Sequence, residues 1–170
     1  ETLKGAWKLS GQALEDGKRR AAAEWLRHEE AAGIDIVTNG EVFRSHCVHG
    51  FLEGLTCIDW QKMTRMGIRN NRYVVDVPTV TGPLRRPHPV HLGEAEFARA
   101  HTKRKLKFTL PRPMTICDTV ADAHYGKRAA MAMAFAELLN QEARELEAAG
   151  ADVIQFDEPA FNAFMDDVNE

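Results

Sequence analysis

Three carboxylates stand directly after short β-like runs, and they define the chemistry to look for. Glu41 follows Ile34-Asp35-Ile36-Val37-Thr38 and the turn Asn39-Gly40, while Asp157 and Glu158 follow Ala151-Asp152-Val153-Ile154-Gln155-Phe156. Acidic groups gathered at strand ends can hold an amino group, bind a metal, or act as an acid and base pair. The alternative is that one of them caps the next helix or pairs with a surface arginine. His46-Cys47-Val48-His49 carries the ligand types zinc prefers, but adjacent residues on a helix point about 100° apart and rarely chelate one ion. His46 and His49 share a helix face and Cys47 does not, so the run is read as one mouth-lining residue with the rest packing. Asp118, His124 and Tyr125 follow another strand; His124 is either a proton donor or, in the reading adopted, an exposed loop histidine. Cys57 and Cys117 lack a paired spacing and read as small hydrophobes. Arg85-Arg86-Pro87-His88 and Lys103-Arg104-Lys105 read as solvated surface, with an anionic substrate tail as the lesser use. Neither a glycine-rich phosphate cradle nor a Gly-x-Ser-x-Gly elbow occurs.

The elements that must position these groups follow from periodicity. Residues 11–32 read as a helix with Leu14, Ala21, Trp25 and Leu26 on its apolar side, stopped by Gly33. A second amphipathic helix begins near residue 130, with Met131, Phe135, Leu138, Leu139 and Leu146 on one side. The two units repeat: Glu30-Ala31-Ala32-Gly33-Ile34-Asp35 matches Glu147-Ala148-Ala149-Gly150-Ala151-Asp152 with one substitution, and the register sets Glu41 opposite Glu158. Between them, residues 94–101 read as a short helix and Lys105 to Leu110 as a strand, with pairing expected to end at Pro111-Arg112-Pro113. Residues 56–83 break the rhythm and read as an antiparallel excursion, turning at Asn70-Asn71. Helix–glycine–strand–carboxylate units in series are what a repeated βα architecture produces, with strands buried on both faces. The fold class expected is therefore α/β: part of a (β/α)8 barrel, about three βα units with a β-hairpin excursion at about 56–83. A closed barrel takes about 250 residues, so residues 1–170 are expected to be a single-domain fragment, the N-terminal part of one. All strand ends then point at a single mouth.

Composition narrows the function classes. The chain has 170 residues, 44% hydrophobic and 28% charged, with a formal net charge of −3. That balance gives no electrostatic reason to expect a nucleic-acid partner. No apolar run approaches the ~20 residues a membrane span needs, and Glu1-Thr2-Leu3-Lys4-Gly5 lacks the pattern of a secretion signal. Three cysteines make no disulfide framework, so a cytoplasmic location is expected.

Asn39-Gly40-Glu41-Val42-Phe43-Arg44-Ser45, Leu110-Pro111-Arg112-Pro113-Met114-Thr115-Ile116 and Ile154-Gln155-Phe156-Asp157-Glu158-Pro159-Ala160 occur in the right order and at suitable separations. Together they resemble the catalytic domain of cobalamin-independent methionine synthase, particularly its short single-domain versions. The resemblance implies a (β/α)8 barrel that moves a methyl group from a donor, a reduced folate or another, onto the thiol of homocysteine. It also implies zinc, which favours the thiolate. By motif, Glu41 and Asp157 would hold the amino acid's ammonium group, a role suited to ionised carboxylates. Arg44, Ser45 and His46 would line the same mouth, and Arg72 would approach the donor. The zinc ligands implied by the family lie downstream of the Asp-Glu-Pro-Ala segment, so none is assigned in this chain. Thr119 stands where long members carry a folate-contacting tryptophan, Ala163 where a glutamate is expected, and Arg112 where a glycine is usual.

Two further readings stay open at this level. One is a carboxylate-pair barrel hydrolase of glycosidase type, with carboxyl groups ~5–10 Å apart across a sugar-sized cleft. It would want aromatic platforms, and only 8% of residues are aromatic. The other is a non-catalytic fragment acting as a structural partner. A half-barrel exposes unpaired strand edges, so the chain alone is expected to be inactive, and either oligomeric or completed by further barrel segments.

Overall fold

Two long helices end in the same way, and that shared ending reveals the building unit. The computed structural model describes residues 8–164. Helix α1 (Gly11–Ala31) and helix α5 (Arg128–Ala148) each run into a glycine with positive φ, +81° at Gly33 and +98° at Gly150. In both, the glycine N–H and the next N–H reach back to carbonyls of the last turn: Gly33 to Glu30 and Ile34 to Glu29, Gly150 to Glu147 and Ala151 to Leu146. This is the left-handed helix stop that the repeated Glu-Ala-Ala-Gly segment encodes. A Cβ on Gly33 would meet no atom within 4 Å, so Gly33→Ala is expected to cost only its backbone strain, about 1 kcal/mol. At Gly150 the added Cβ would lie 2.7 Å from Arg99 Cδ. The alanine variant there should lose more, and urea unfolding of the pair checks the order.

Each stop feeds a parallel strand. Strands β1 (Ile36–Val37), β4 (Lys105–Pro111) and β6 (Val153–Asp157) form one sheet in the order β1-β4-β6, all parallel. Helix α3 (Leu92–Ala100) precedes β4, so three helix–strand units lie side by side. This is a mixed α/β arrangement consistent with part of a βα barrel. Pairing runs on through Pro111, which sits opposite Asp157, and Arg112 N–H donates to the Asp157 carbonyl at 3.0 Å. The ladder thus ends within the expected Pro111-Arg112-Pro113 segment, one residue beyond Leu110. Strand β1 is shorter than the five-residue run expected, because only Ile36 and Val37 find partners, on β4 alone.

One face of this sheet is closed and the other open. Leu106, Phe108 and Leu110 are buried against Met131, Phe135, Leu139 and Leu146 of α5 and against Leu26 and Ala98 of α1 and α3. Lys105, Lys107 and Thr109 point the other way and stay partly or fully exposed, as do Ile36 and Gln155. The expectation of strands buried on both faces is corrected here. Helix α1 is corrected too: Ala22 and Leu26 are buried, while Ala21 is exposed and Trp25 is 50% exposed, its indole N–H donating to Glu29.

The excursion is a long hairpin. Strands β2 (Thr56–Ile68) and β3 (Tyr73–Arg85) pair antiparallel, with irregularities around Cys57 and between Asp59 and Thr64. Its turn places Arg69, Asn70 and Asn71 at φ 55–61°, a conformation asparagine tolerates better than most residues. Strand β5 (Ala121–Asp122) adds to β3 in parallel. Two short helices, α2 (His49–Leu52) and α4 (Pro113–Cys117), follow the strand-end loops. No helix among the described residues is long and apolar enough to cross a membrane. Met165 to Glu170 lie outside the described residues.

Candidate active site

Because the three strands are parallel, the loop after β1, the end of β4 and the end of β6 share one edge of the sheet. Glu41 lies in the first of these, at φ 57°, with its own N–H on the Asn39 side-chain oxygen at 3.2 Å. Asp157 is the last residue of β6 and is exposed, its Oδ1 accepting from the Gln155 amide at 2.6 Å. The two carboxylates are close enough to feel one another. Partial burial pushes the Glu41 carboxyl up from its ordinary value, Glu94 and Asp157 push the same way, and Arg44 and Lys107 oppose them. For a carboxyl held above its ordinary value, an added positive charge favours the ionised form, which suits capture of a ligand cation beside the one Arg44 already supplies.

Glu158 does something else. Its carboxylate accepts the Met114 N–H at 3.1 Å and the Thr115 hydroxyl, both in the first turn of α4. An acid there satisfies the unpaired N–H groups of a helix start. The repeat that sets it opposite Glu41 therefore matches in sequence and diverges in role.

Arg44 lines the site from beneath rather than at its surface. Its side chain is 3% exposed, with Nε 3.1 Å from Glu94 Oε2, Nη1 3.2 Å from Glu41 Oε1 and 2.8 Å from the Thr109 carbonyl. The guanidinium also lies over the Phe108 ring, 4.8 Å from its centroid. Ser45 donates to Glu53 at 3.1 Å, and the His46 Nδ1 accepts the Val48 and His49 N–H groups, both at 3.1 Å, while its ring stacks on His49. Ser45 and His46 line a cleft of about 700 Å³ under the hairpin, together with Trp60, Met63, Tyr73 and Thr119. Arg72 sits in the exposed turn joining β2 to β3, outside the residues that line this cleft. Glu41 and Asp157 stand on the open rim, outside it as well.

Cys47 is exposed, and partial desolvation first, then the Glu41 charge, pushes its thiol up, which disfavours the thiolate a metal would take. Cys117 is buried and Cys57 is exposed, so only the former behaves as the expected hydrophobe; burial pushes the Cys117 thiol up to about 12. Among the described residues no three His, Cys, Asp or Glu side chains are grouped to hold a metal ion. Asp118 is buried and accepts the Arg69 N–H at 3.0 Å, tying the hairpin turn down. His124 is exposed, its N–H on Asp122.

Sequence reasoning passed over the groups that hold Glu41 and Arg44. Glu94 is 7% exposed; burial pushes its carboxyl up, but the His91 hydrogen bond, the Arg44 and His91 charges and the Asn39 amide outweigh this and hold it at about 2. Arg86, read as solvated surface, has a buried side chain: it meets Glu142 and Glu145 at 2.8 Å each, and Glu142, wholly buried, also accepts the Val90 and His91 N–H groups. A signal existed for both acids. Glu94 lies four residues before buried Ala98, and Glu142 lies midway between Leu138 and Leu146, so each occupies a core position of its helix.

The profile of the cobalamin-independent synthase catalytic domain matches residues 2–168. The chain belongs to that family. A methionine synthase from Sulfolobus acidocaldarius is 32% identical over 167 residues, 98% of this chain and 48% of that protein. A 5-methyltetrahydropteroyltriglutamate–homocysteine methyltransferase from Nitratidesulfovibrio vulgaris is 32% identical over 89% of this chain and 19% of its own length. Among solved structures, a B12-independent methionine synthase from Shewanella sp. W3-18-1, in complex with selenomethionine, superposes with a TM-score of 0.89 at 49% identity, covering 96% of this chain and 48% of that one. The chain thus spans about half the length of the methionine synthases it matches and about a fifth of the matched 5-methyltetrahydropteroyltriglutamate–homocysteine methyltransferases.

Proposed function

We propose that this chain supplies the amino-acid-binding part of a barrel that transfers a methyl group to the thiol of homocysteine, giving methionine. The observation that carries the reading is the pairing of Glu41 and Asp157 on one rim, 116 positions apart in sequence yet within electrostatic reach. Two carboxylates there hold the substrate's ammonium by charge-assisted hydrogen bonds and fix the direction of its thiol arm. Membership of the family and the likeness to a selenomethionine-bound relative support the same reading.

Zinc activation of the thiol belongs to the reading as well, but the described residues of this chain do not offer a ligand set for the ion. We place those ligands outside this chain and route no step through its residues. The cleft lined by Ser45, His46, Trp60 and Thr119 is assigned to the methyl donor, folate-type or other, because it opens beside the loop that carries Glu41 and Arg44. The open sheet face and the single-sided pairing of β1 support completion by further barrel strands, from another segment or a second copy. A cytoplasmic location is part of the same reading.

Calorimetry with L-homocysteine, and with its analogue lacking the amino group, tests the assignment. The intact amino acid should bind and the analogue should not. Glu41→Gln and Asp157→Asn should each weaken binding by about tenfold or more. Glu41→Gln should leave the melting temperature unchanged or raised, since its carboxyl is held above its ordinary value and the fold gains by losing that partly desolvated charge. Equal binding of the two ligands would refute the ammonium role.

A further inference from the structure

Glu94 sits at the centre of a buried polar network that reaches Glu41 by two routes. One carboxylate oxygen accepts the Asn39 amide at 2.7 Å; the other faces Arg44 Nε at 3.1 Å and His91 Nδ1 at 3.4 Å. The first route holds the Glu41 backbone, because the Asn39 oxygen that Glu94 orients accepts the Glu41 N–H at 3.2 Å. Glu41 is a non-glycine residue at φ 57°, a conformation that persists only where its surroundings enforce it. The second route holds the Glu41 side chain, through the Arg44 guanidinium that lies between the two acids. The network is anchored from below: the His91 N–H is fixed by Glu142 at 2.7 Å. Asn39, Arg44, His91 and Glu94 are all buried.

The charges explain why a second acid is needed. Arg44 is a buried cation and requires one full negative partner. Were Glu41 its sole partner, the Glu41 carboxylate would be neutralised and a ligand ammonium would meet a spent site. Arg44 in fact faces both acids, Glu94 at 3.1 Å and Glu41 at 3.2 Å, so Glu94 takes up part of its charge and the rim, with Asp157 beside Glu41, keeps negative charge in excess. Lys107, on the open face of β4, is the other cation that acts on Glu41.

We propose that Glu94 is a positioning residue for Glu41: by taking up part of the Arg44 charge and orienting the Asn39 amide, it keeps the Glu41 carboxylate presented to the ammonium group of an amino-acid ligand. The ligand class rests on the proposed function above; the positioning role can be read without any ligand.

The test uses the 170-residue chain and follows the Glu41 side-chain carboxyl by carbon-13 NMR across pH, with L-homocysteine calorimetry alongside. In Glu94→Gln, Arg44 keeps Glu41 as its one acid partner, and the repulsion that Glu94 exerts on Glu41 is removed as well. Glu41 should then titrate lower than in the parent, and homocysteine should bind about tenfold more weakly or worse, although Glu41 is more fully ionised. Adding Arg44→Met should reverse the direction, so that Glu41 titrates higher than in the parent, because burial and Asp157 remain while the cation is gone. A role confined to packing would not give opposite shifts. An unmoved Glu41 titration in a folded Glu94→Gln chain overturns the proposal. If Glu94→Gln does not fold, the double variant, which removes both buried charges together, decides alone: a Glu41 titration no higher than in the parent overturns it. Shifts in the expected directions with homocysteine binding to none of the chains support the positioning role and refute the amino-acid reading instead.

Discussion

Replacing Glu142 by alanine is expected to cost about 3–5 kcal/mol, the range for leaving one member of a buried ion pair behind. Glu142 is wholly buried and Arg86, its partner, is 4% exposed. The carboxylate also takes the Val90 and His91 N–H groups. Removing it leaves the guanidinium with the half-exposed Glu145 alone and strands two backbone donors, each with its own desolvation penalty. Glu145 gives Arg86 a second anchor but is itself 41% exposed, so it compensates in part. The double variant Glu142→Leu with Arg86→Met should recover part of the loss, since the buried charge is gone, but not all, since the two N–H groups still lack an acceptor. Urea unfolding followed by circular dichroism measures both. A loss below about 1 kcal/mol for Glu142→Ala would contradict this account of the connection between β3 and α3.

The second large effect is acid sensitivity traced to Glu94. Its carboxyl titrates at about 2 in the fold against an ordinary 4.5. A depressed folded-state value means that the ionised form is favoured by folding. The stabilisation is therefore complete above pH about 4.5 and disappears as pH falls toward about 2, with a full size of about 3 kcal/mol. The stability gap between the parent and Glu94→Gln should be wide at pH 7 and close across that window. A gap independent of pH would show that the ionised Glu94 contributes nothing beyond its shape. The opposite sign applies to Glu41, whose raised carboxyl makes its ionisation a cost to the fold at neutral pH. One acid is held for stability and its neighbour is held ready at the expense of stability, a division common at functional sites.

Local chemistry carried much of the architecture. The Glu-Ala-Ala-Gly segments announced two helix stops because a left-handed residue without a Cβ is nearly always glycine, and both are found. The apolar stripe of α5 translated into burial residue for residue, whereas Lys105 to Leu110, expected to be buried on both faces, alternates instead. The hairpin was legible from its β-branched runs and paired asparagines. What misled was any inference from type to environment. Arg86 sits among Arg85, Pro87 and His88 in a stretch that reads as surface, yet its side chain is buried, because its partners lie on a helix more than fifty positions away. Glu158 looks like the twin of Glu41 and is a helix cap, because α4 begins beside β6.

By itself, then, the order of residues determined the helix stops, the strand runs and the family motifs, because these depend on neighbours a few positions apart. It also singled out Glu41 and Asp157 by motif. The tertiary structure alone decided which acids face outward and which are consumed internally. Glu94, Glu142 and Glu158 are each neutralised or capped by groups from distant segments, and Glu41 and Asp157 remain at the rim. The physical reason is that the charge a carboxylate presents is set by what surrounds it in space, and parallel strands bring together groups that the chain holds far apart.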